Sequence, residues 1–295
     1  MQTCLIFNPC AQGQRAEAFR ARLGSLYPKS DLRCTGAPGE ARHLAAQAVR
    51  EGFATIIAAG GDGTANEVVN GMADVPQGLA SVRLGIAPLG TLNVFARELG
   101  LPRDLAGAAR TLAAGREMTM DLGRAELSAG GQRQTRYFLQ LAGAGLDARA
   151  VELVSWELKK KTGPLAYVAA GLQALREKQP AITVEAAEPA GGELVLLGNG
   201  RYYGGSFELF PGASLRDGCL DVCVLPNVTA WSALQAALGL LTGRVQRFWP
   251  SRHFRSSTVT LRSSSRVSLQ LDGEYAGELP VTFSVLPLAL RVIVP

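Results

Sequence analysis

Histidine is almost missing from this chain of 295 residues, with only His43 and His253, which argues against a Ser-His-Asp triad or a histidine-ligated zinc. Cysteine is sparse and odd in number at five, with no C-x-x-C pair, so neither a disulfide scaffold nor a zinc ribbon is expected; reduced thiols point to the cytosol. Long hydrophobic runs are lacking too. The apolar stretch Cys4–Phe7 is too short for a signal peptide and has no basic segment before it, and no run approaches the ~18 residues of a membrane span. A cytoplasmic location is therefore expected. Basic clustering stops at Lys159-Lys160-Lys161, and no zinc-finger, RNP or basic-zipper pattern occurs, so nucleic acid is not an expected partner. No G-x-x-x-x-G-K-[ST], H-R-D or D-F-G is present, which excludes a P-loop or protein-kinase catalytic site. There is no internal repeat and no low-complexity tract.

What is abundant is glycine, at 34 residues, within a chain that is 47% hydrophobic and only 19% charged. That describes a packed globular protein rich in tight turns. Its formal charge of +5 suits anionic ligands or an acidic membrane surface. The length suggests two domains. Residues 1–125 alternate strand-like runs (Thr3–Phe7, Ala54–Ala59, Leu84–Ala87) with helix-like ones (Ala16–Leu26, Glu40–Glu51, Ala65–Met72, Asn93–Leu99), the pattern of a parallel α/β sheet. Residues 126–295 are β-rich: Arg136–Leu141, Ala181–Ala186, Glu193–Gly198, Leu220–Leu225, Ser257–Leu261, Arg266–Leu271 and Val281–Val285 read as strands of a largely antiparallel domain. Helical stretches Asp147–Lys160, Pro164–Glu177 and Ala230–Thr242 interrupt it.

The strongest chemical signal is Gly60-Gly61-Asp62-Gly63-Thr64, between an apolar strand and a helix. Glycines permit close approach of a phosphate, and the helix start offers unpaired N–H groups and partial positive charge. Asp62 would repel phosphate, so its functional reading is as a ligand to magnesium or a metal-bound water. The same residues also describe a tight turn with a capping Asp or Thr. A second glycine turn, Pro88-Leu89-Gly90-Thr91-Leu92-Asn93, and a third loop, Asn8-Pro9-Cys10-Ala11-Gln12-Gly13, likewise follow strands; ligands of parallel sheets sit at such carboxyl ends. In the β-rich half, Leu271-Asp272-Gly273-Glu274 sets two carboxylates around a glycine, either a general base with a supporting acid or simply a hairpin turn. The glycine-rich stretch from Asn199 to Asp221 suits a metal-binding loop or a plain hairpin loop. Gly143-x-Gly145-x-x-Ala148 imitates a dinucleotide fingerprint, but no βαβ unit follows it.

Taken in order, Ile6–Pro9, Gly60–Gly71 (G-G-D-G-T-x-N-E-V-V-N-G), Pro88–Asn93, Gly143–Ala148, Asn199–Gly205 and Leu271–Glu274 resemble the diacylglycerol kinase catalytic-domain superfamily, particularly its soluble bacterial lipid kinases. The resemblance implies an N-terminal nucleotide-binding α/β domain, a C-terminal antiparallel β-sandwich and an active cleft between them, with the last ~10 residues returning to the first domain. It implies that Asn8, Pro9, Cys10, Ala11, Gln12, Thr35, Gly60, Gly61, Asp62, Gly63, Thr64, Ala65, Asn66 and Thr91 contact ATP. It further implies Glu274 as general base, supported by Asp272, and a structural magnesium on Asp217 and the carbonyls of Ser214 and Cys219. ATP, Mg2+ and a lipid acceptor are the implied ligands, with peripheral contact at the inner face of the membrane suggested by the apolar Ala230–Thr242 and the Arg244, Arg247, Phe248, Trp249, Arg252 and Arg255 beyond it. Three departures stand out: Val94 where relatives are acidic, Ser206 where they often have glycine, and Arg216 where they have aspartate. The alternatives are an NAD kinase, which shares the G-G-D-G-T loop, and a silent nucleotide- or lipid-binding regulator.

Overall fold

The apolar run Cys4–Phe7 is buried throughout in β1 (Thr3–Phe7), as befits a strand covered on both faces. After it come α1 (Ala16–Leu26), β2 (Ser30–Cys34), α2 (Glu40–Arg50), β3 (Thr55–Gly60), α3 (Asp62–Ala73), α4 (Gly78–Ser81), β4 (Arg83–Pro88), α5 (Val94–Glu98) and α6 (Leu105–Ala114). This computed structural model describes residues 2–11, 13–129, 131–154, 165–242 and 251–295. It separates into one unit of Met1–Leu122, Gly204–Ser206 and Pro287–Pro295, and another of Gly123–Tyr203 and Phe207–Leu286.

In the first unit the strands run parallel in the order β2-β1-β3-β4. Arg291 and Val292, near the end of the chain, add a parallel partner to Arg83 and Leu84 of β4. The chain leaves β1 toward β2 on one side and resumes at β3 on the other, so the order reverses between β1 and β3. Such a switch point opens a crevice at the carboxyl ends of its two strands, and here those ends are Phe7 and Gly60. Leu5, Phe7, Ile57, Ala59 and Ala87 of the strands pack with Leu23 of α1 and Leu105 of α6 into one core. Each large apolar side chain in it contributes about 1.5–3 kcal/mol by leaving water. On α3, a side chain at Gly71 would start 2.0 Å from the Arg42 carbonyl of α2, so glycine lets these two helices close up.

The second unit contains β6 (Gln132–Phe138), β7 (Leu141–Gly145), α7 (Leu146–Leu153), α8 (Leu165–Ala174), β8 (Ile182–Glu185), β9 (Ala190–Gly192), β10 (Leu194–Gly198), β11 (Tyr202–Tyr203), β12 (Phe207–Glu208), β13 (Leu220–Leu225), α9 (Ala230–Thr242), β14 (Arg252–Ser256), β15 (Thr258–Arg262), β16 (Ser268–Leu271) and β17 (Glu274–Glu278). Two long strands, Glu117–Ala129 before β6 and Val281–Ile293 after β17, each run through the unit boundary; we number them β5 and β18. One antiparallel sheet has the order β14-β13-β10-β7-β16-β17. The other pairs β18 with β15, β15 with β8, β8 with β9, and β5 with β6. Ala125, Phe138, Val184, Leu261 and Phe283 from this second sheet meet Ala142, Val195, Val222, Leu269 and Leu271 from the first in a single buried cluster. Two antiparallel sheets enclosing one core make a β-sandwich.

The expectation of an α/β half followed by an antiparallel β-sandwich is met. One boundary needs correction. The strand expected over Arg136–Leu141 is interrupted: β6 ends at Phe138, and Leu141 opens the buried strand β7, which takes in Gly143–Gly145. Glycine is disfavoured in strands, and here it is retained because side chains from elsewhere fill the space. The helix expected over Asp147–Lys160 is seen for Leu146–Leu153; residues 155–164 lie outside the described residues.

Candidate active site

Three loops of the first unit meet at the switch point. Asn8, just beyond β1, donates its backbone N–H to the Ala59 carbonyl (3.0 Å) and its Nδ2 to the Thr64 hydroxyl (3.1 Å). Its Oδ1 accepts the N–H of Cys10 (3.0 Å), which shapes the turn at Pro9–Ala11. Thr35 bonds the Phe7 carbonyl through its N–H (2.9 Å), bringing the end of β2 alongside. Gln12 lies outside the described residues.

The second and third loops touch backbone to backbone. A Cβ at Gly90 would fall 2.5 Å from the Gly61 Cα, and one at Gly60 would fall 2.3 Å from the Thr64 hydroxyl oxygen. A larger residue at Gly90 would have to move main chain, and one at Gly60 would have to displace the Thr64 side chain. The Pro88–Asn93 turn is closed by Asn93, whose Oδ1 accepts the Gly90 N–H (2.8 Å) and whose Nδ2 donates to the Gly90 carbonyl (2.7 Å). Asn93 itself adopts φ 48°, a left-handed conformation that asparagine tolerates better than most side chains.

Asp62 joins the two loops. Its Oδ1 accepts the Phe95 N–H at the start of α5 (3.0 Å). Burial raises the Asp62 carboxyl above the ordinary aspartate range, opposed by amide donors from Phe95, Val94, its own N–H and Asn93. Ala65 and Asn66 lie in the first turns of α3, with Ala65 N–H bonded to the Gly61 carbonyl (3.1 Å). Further along the same motif, Glu67 accepts the N–H groups of Gly39 (2.8 Å) and Ala41 (3.1 Å), capping α2. The long glycine motif thus divides into a start at the switch point and a tail that braces α2. Beside the second turn, Thr91 and Asn93 line an open pocket of about 590 Å3 that also includes Arg22, Arg97 and Arg103.

In the second unit, Asp272 and Gly273 are the two central residues of the hairpin between β16 and β17, with φ 49° and 81°. Two successive positive φ angles are what a two-residue type I′ turn requires. The Asp272 carboxylate accepts three backbone N–H groups, from Leu139 (2.7 Å), Gln140 (2.9 Å) and Leu141 (3.0 Å). Its oxygens are committed to the main chain, so it anchors the hairpin. Glu274, two residues on, is exposed at the start of β17.

The residues read as a structural metal site are differently engaged. Asp217 Oδ1 accepts the Cys219 N–H (3.1 Å), and Oδ2 contacts the Arg255 guanidinium. Arg255 also reaches toward Asp221 (3.7 Å) across the β13–β14 pair. The Ser214 hydroxyl accepts the Arg216 N–H (3.3 Å). A magnesium ion would have to displace a guanidinium from the one carboxylate of this donor set, so the arrangement does not fit a bound metal. Among the described residues no cluster of three His, Cys, Asp or Glu side chains is placed to hold a metal ion.

Sequence reading passed over a buried carboxylate, Asp121, whose Oδ1 accepts the Leu288 N–H (2.7 Å). It also missed the contacts that Asp147 makes with Tyr203 and Gln270. For Asp121 the signal in the sequence was a charged residue within an apolar context; Asp147 and Tyr203 lie inside the Gly143–Ala148 and Asn199–Gly205 motifs, which do not say what they bond.

Residues 2–125 match a diacylglycerol kinase catalytic domain, and residues 140–294 match a YegS C-terminal NAD kinase beta sandwich-like domain. The chain is 33% identical to a diacylglycerol kinase from Bacillus subtilis, across 99% of this chain and 95% of that protein. It is 34% identical to a Pseudomonas putida protein named "Probable lipid kinase YegS-like", across 95% and 91%. A crystal structure of a diacylglycerol kinase from Bacillus anthracis superposes with a TM-score of 0.71 over 100% of this chain and 97% of that one, at 20% identity, a likeness of fold.

Proposed function

The chain belongs to the diacylglycerol kinase catalytic-domain family, and from that premise we propose that it transfers the γ-phosphate of ATP to the hydroxyl of a lipid acceptor. The observation that carries this reading is the meeting of Asn8, Gly60–Thr64 and Gly90–Asn93 at the sheet's switch point. Glycine backbones there offer N–H groups to phosphate oxygens, and the start of α3 adds partial positive charge. Thr35 and Thr91 flank the nucleotide. Arg22, Arg97 and Arg103 bias the adjoining pocket toward anions.

In the reaction the acceptor oxygen forms a bond to the γ-phosphorus while the bond from that phosphorus to the β–γ bridging oxygen breaks, releasing ADP. Glu274 takes the hydroxyl proton; Asp272 holds the turn that carries Glu274. A magnesium ion accompanying ATP would supply positive charge beside the phosphates. Asp62 keeps the two glycine loops in register, which preserves the spacing of their N–H groups.

The acceptor is a membrane lipid, and α9 is the surface by which we propose it is reached. Trp231, Leu234 and Leu238 stand 66%, 49% and 45% exposed at i, i+3, i+7 spacing, as on a helix lying in a lipid interface. Arg244, Arg247, Phe248 and Trp249 fall outside the described residues. Among the described residues no helix is long and apolar enough to cross a membrane.

Labelled ATP offered with dispersed diacylglycerol, monoacylglycerol, a sphingoid base or phosphatidylglycerol, with NAD as comparison acceptor, tests the assignment. Label in a lipid product is expected. Phosphorylation of NAD alone, or ATP binding without transfer, would overturn it. Co-sedimentation with anionic vesicles tests α9: Trp231→Ala with Leu234→Ala should lower the bound fraction, and an unchanged fraction would remove α9 from the account.

A further inference from the structure

Two motifs remain outside the reaction just described: Gly143-x-Gly145-x-Asp147 and the Asn199–Tyr203 stretch. Both converge on the underside of the Asp272–Gly273 turn. Gln270, 1% exposed, accepts the Gly273 N–H through Oε1 (2.8 Å) and donates through Nε2 to Asp147 Oδ2 (2.8 Å). The other carboxylate oxygen of Asp147 accepts the Tyr203 hydroxyl. Each group therefore has one usable orientation. An amide flip at Gln270 would set N–H against N–H at Gly273 and oxygen against carboxylate at Asp147.

The glycines make room for this chain of bonds. A Cβ at Gly143 would fall 2.6 Å from Asp147 Oδ2 and 2.8 Å from Gln270 Nε2. Gly145 at φ 96° turns β7 directly into α7, which carries Asp147. On the opposite flank, Asn199 donates Nδ2 to the Leu139 carbonyl (2.9 Å) and its N–H to the Gln140 carbonyl (2.9 Å). That fixes the Leu139–Leu141 segment whose amides grip Asp272. A Cβ at Gly200 would collide with the Gln140 side chain at 2.4 Å.

We propose that Tyr203, Asp147 and Gln270 are positioning residues for Glu274, joined to it through the Gly273 backbone, and that the Gly143–Asp147 motif exists to house them. This rests on Glu274 acting as the base. The network touches the hairpin only beneath the turn, so its loss should leave ATP recognition unaffected. It should displace the carboxylate of the next residue, and a misplacement of ~1 Å in a catalytic group can cost on the order of 100-fold in rate.

The experiment measures kcat and KM for ATP and lipid, with thermal midpoints, for Gln270→Leu, Asp147→Ala, Asp147→Asn, Tyr203→Phe and Glu274→Gln. Gln270→Leu and Asp147→Ala should lower kcat by about 30-fold or more per folded molecule with KM for ATP unchanged. Asp147→Asn should recover to within about fivefold of wild type, because an asparagine can accept from Gln270 and donate to the Tyr203 oxygen. Tyr203→Phe removes one hydroxyl from a folded enzyme and should lower kcat by about three- to tenfold; it serves if the larger deletions fail to fold. Wild-type kcat in Tyr203→Phe and in whichever of the larger deletions folds, beside an inactive Glu274→Gln, would overturn the positioning role alone. Full turnover in Glu274→Gln would remove the general-base assignment and this proposal with it.

Discussion

The two units solve opposite problems of presentation. In the first, side chains hold main chain: Asn8 grips the Cys10 N–H, Asn93 closes the Gly90 turn and Asp62 grips the Phe95 N–H, so that three loops are fixed at the switch point. In the second, main chain holds a side chain: three amides fasten Asp272, and Gly273 is fastened to Gln270, so that one carboxylate, Glu274, is carried at the hairpin's end. A phosphate needs several donors in a rigid cradle, which backbone supplies best; a proton needs one titratable group, which only a side chain can supply. Mutations should therefore separate cleanly, with binding lost in one unit and turnover in the other.

The largest expected effect is in the second unit. Glu274→Gln should cut kcat by about a thousandfold, within the usual span for loss of a general base, while ATP affinity by calorimetry stays within about twofold. A loss of ATP affinity instead would mean that the division of labour is wrong.

The next is in the first unit. Gly90→Ala puts a methyl 2.5 Å from the Gly61 Cα, a main-chain atom with no flexible end to yield. ATP binding should weaken by about 10- to 100-fold, with kcat at saturating ATP less affected, since the cradle and not the base is deformed. Gly24→Ala is the control. Gly24 lies inside α1 with nothing within 4 Å of a new Cβ, so alanine there should stabilise the helix by up to about 1 kcal/mol and leave ATP binding alone.

How much of this could be read from the sequence follows the same division. The alternation of the first half is legible because buried apolar strands such as β1 and β3 alternate with helix-like stretches; α1 falls over the residues expected and α2 within one residue of them. β2, with Ser30, Asp31 and Arg33 in five residues, carries no such run and was not expected. α6 was also passed over, though Asp104 accepts the Gly107 N–H (2.8 Å) as its N-cap and Gly115 ends it at φ 70°, the usual punctuation of a helix. Among candidate site residues, the glycine loops were visible because their spacing is local. Asp62 was read as a metal ligand or a capping residue, and its bond to the Phe95 N–H, 33 residues away, had no local signal. A long-range partner also explains why β7 was missed, since nothing near Gly143 in the chain announces Gln270 beside it.

A third expected effect concerns stability and belongs to the second unit. Glu152 is drawn upward by burial, but hydrogen bonds from Ser268 (2.6 Å), Arg266 (2.6 Å) and Arg149 (2.9 Å) outweigh that and hold its pKa at about 2. The folded protein thus binds this proton less readily than the unfolded chain. The stabilisation is complete above the ordinary glutamate range near 4.5 and is lost as pH falls through the folded value of about 2. After allowance for solvent screening of the two arginines it amounts to about 2 kcal/mol. Glu152→Gln should lower the thermal midpoint at pH 7 and flatten its decline between about pH 4.5 and pH 2, the window set by those two pKa values. A variant that keeps the full acid slope would mean that other carboxylates dominate.

The smallest expected effect is the most discriminating about cations. With Arg255 on Asp217 and Cys219 N–H on the other oxygen, the protein carries its own positive charge where the resemblance implied a magnesium ion. Chelation of metal from nucleotide-free protein should then shift the thermal midpoint by no more than about 1 °C, because a ligand that is not bound cannot stabilise by mass action. Arg255→Gln removes the competing charge and uncovers Asp217 beside Asp221, whose carboxyl burial already pushes up to about 6. In that variant millimolar Mg2+ should raise the midpoint by a few degrees, the effect of a ligand at roughly 10 to 100 times its dissociation constant. If instead the wild-type protein loses several degrees on chelation, the guanidinium is not the resident cation, and the second unit relies on metal in the way that its glycine- and aspartate-rich loop first suggested.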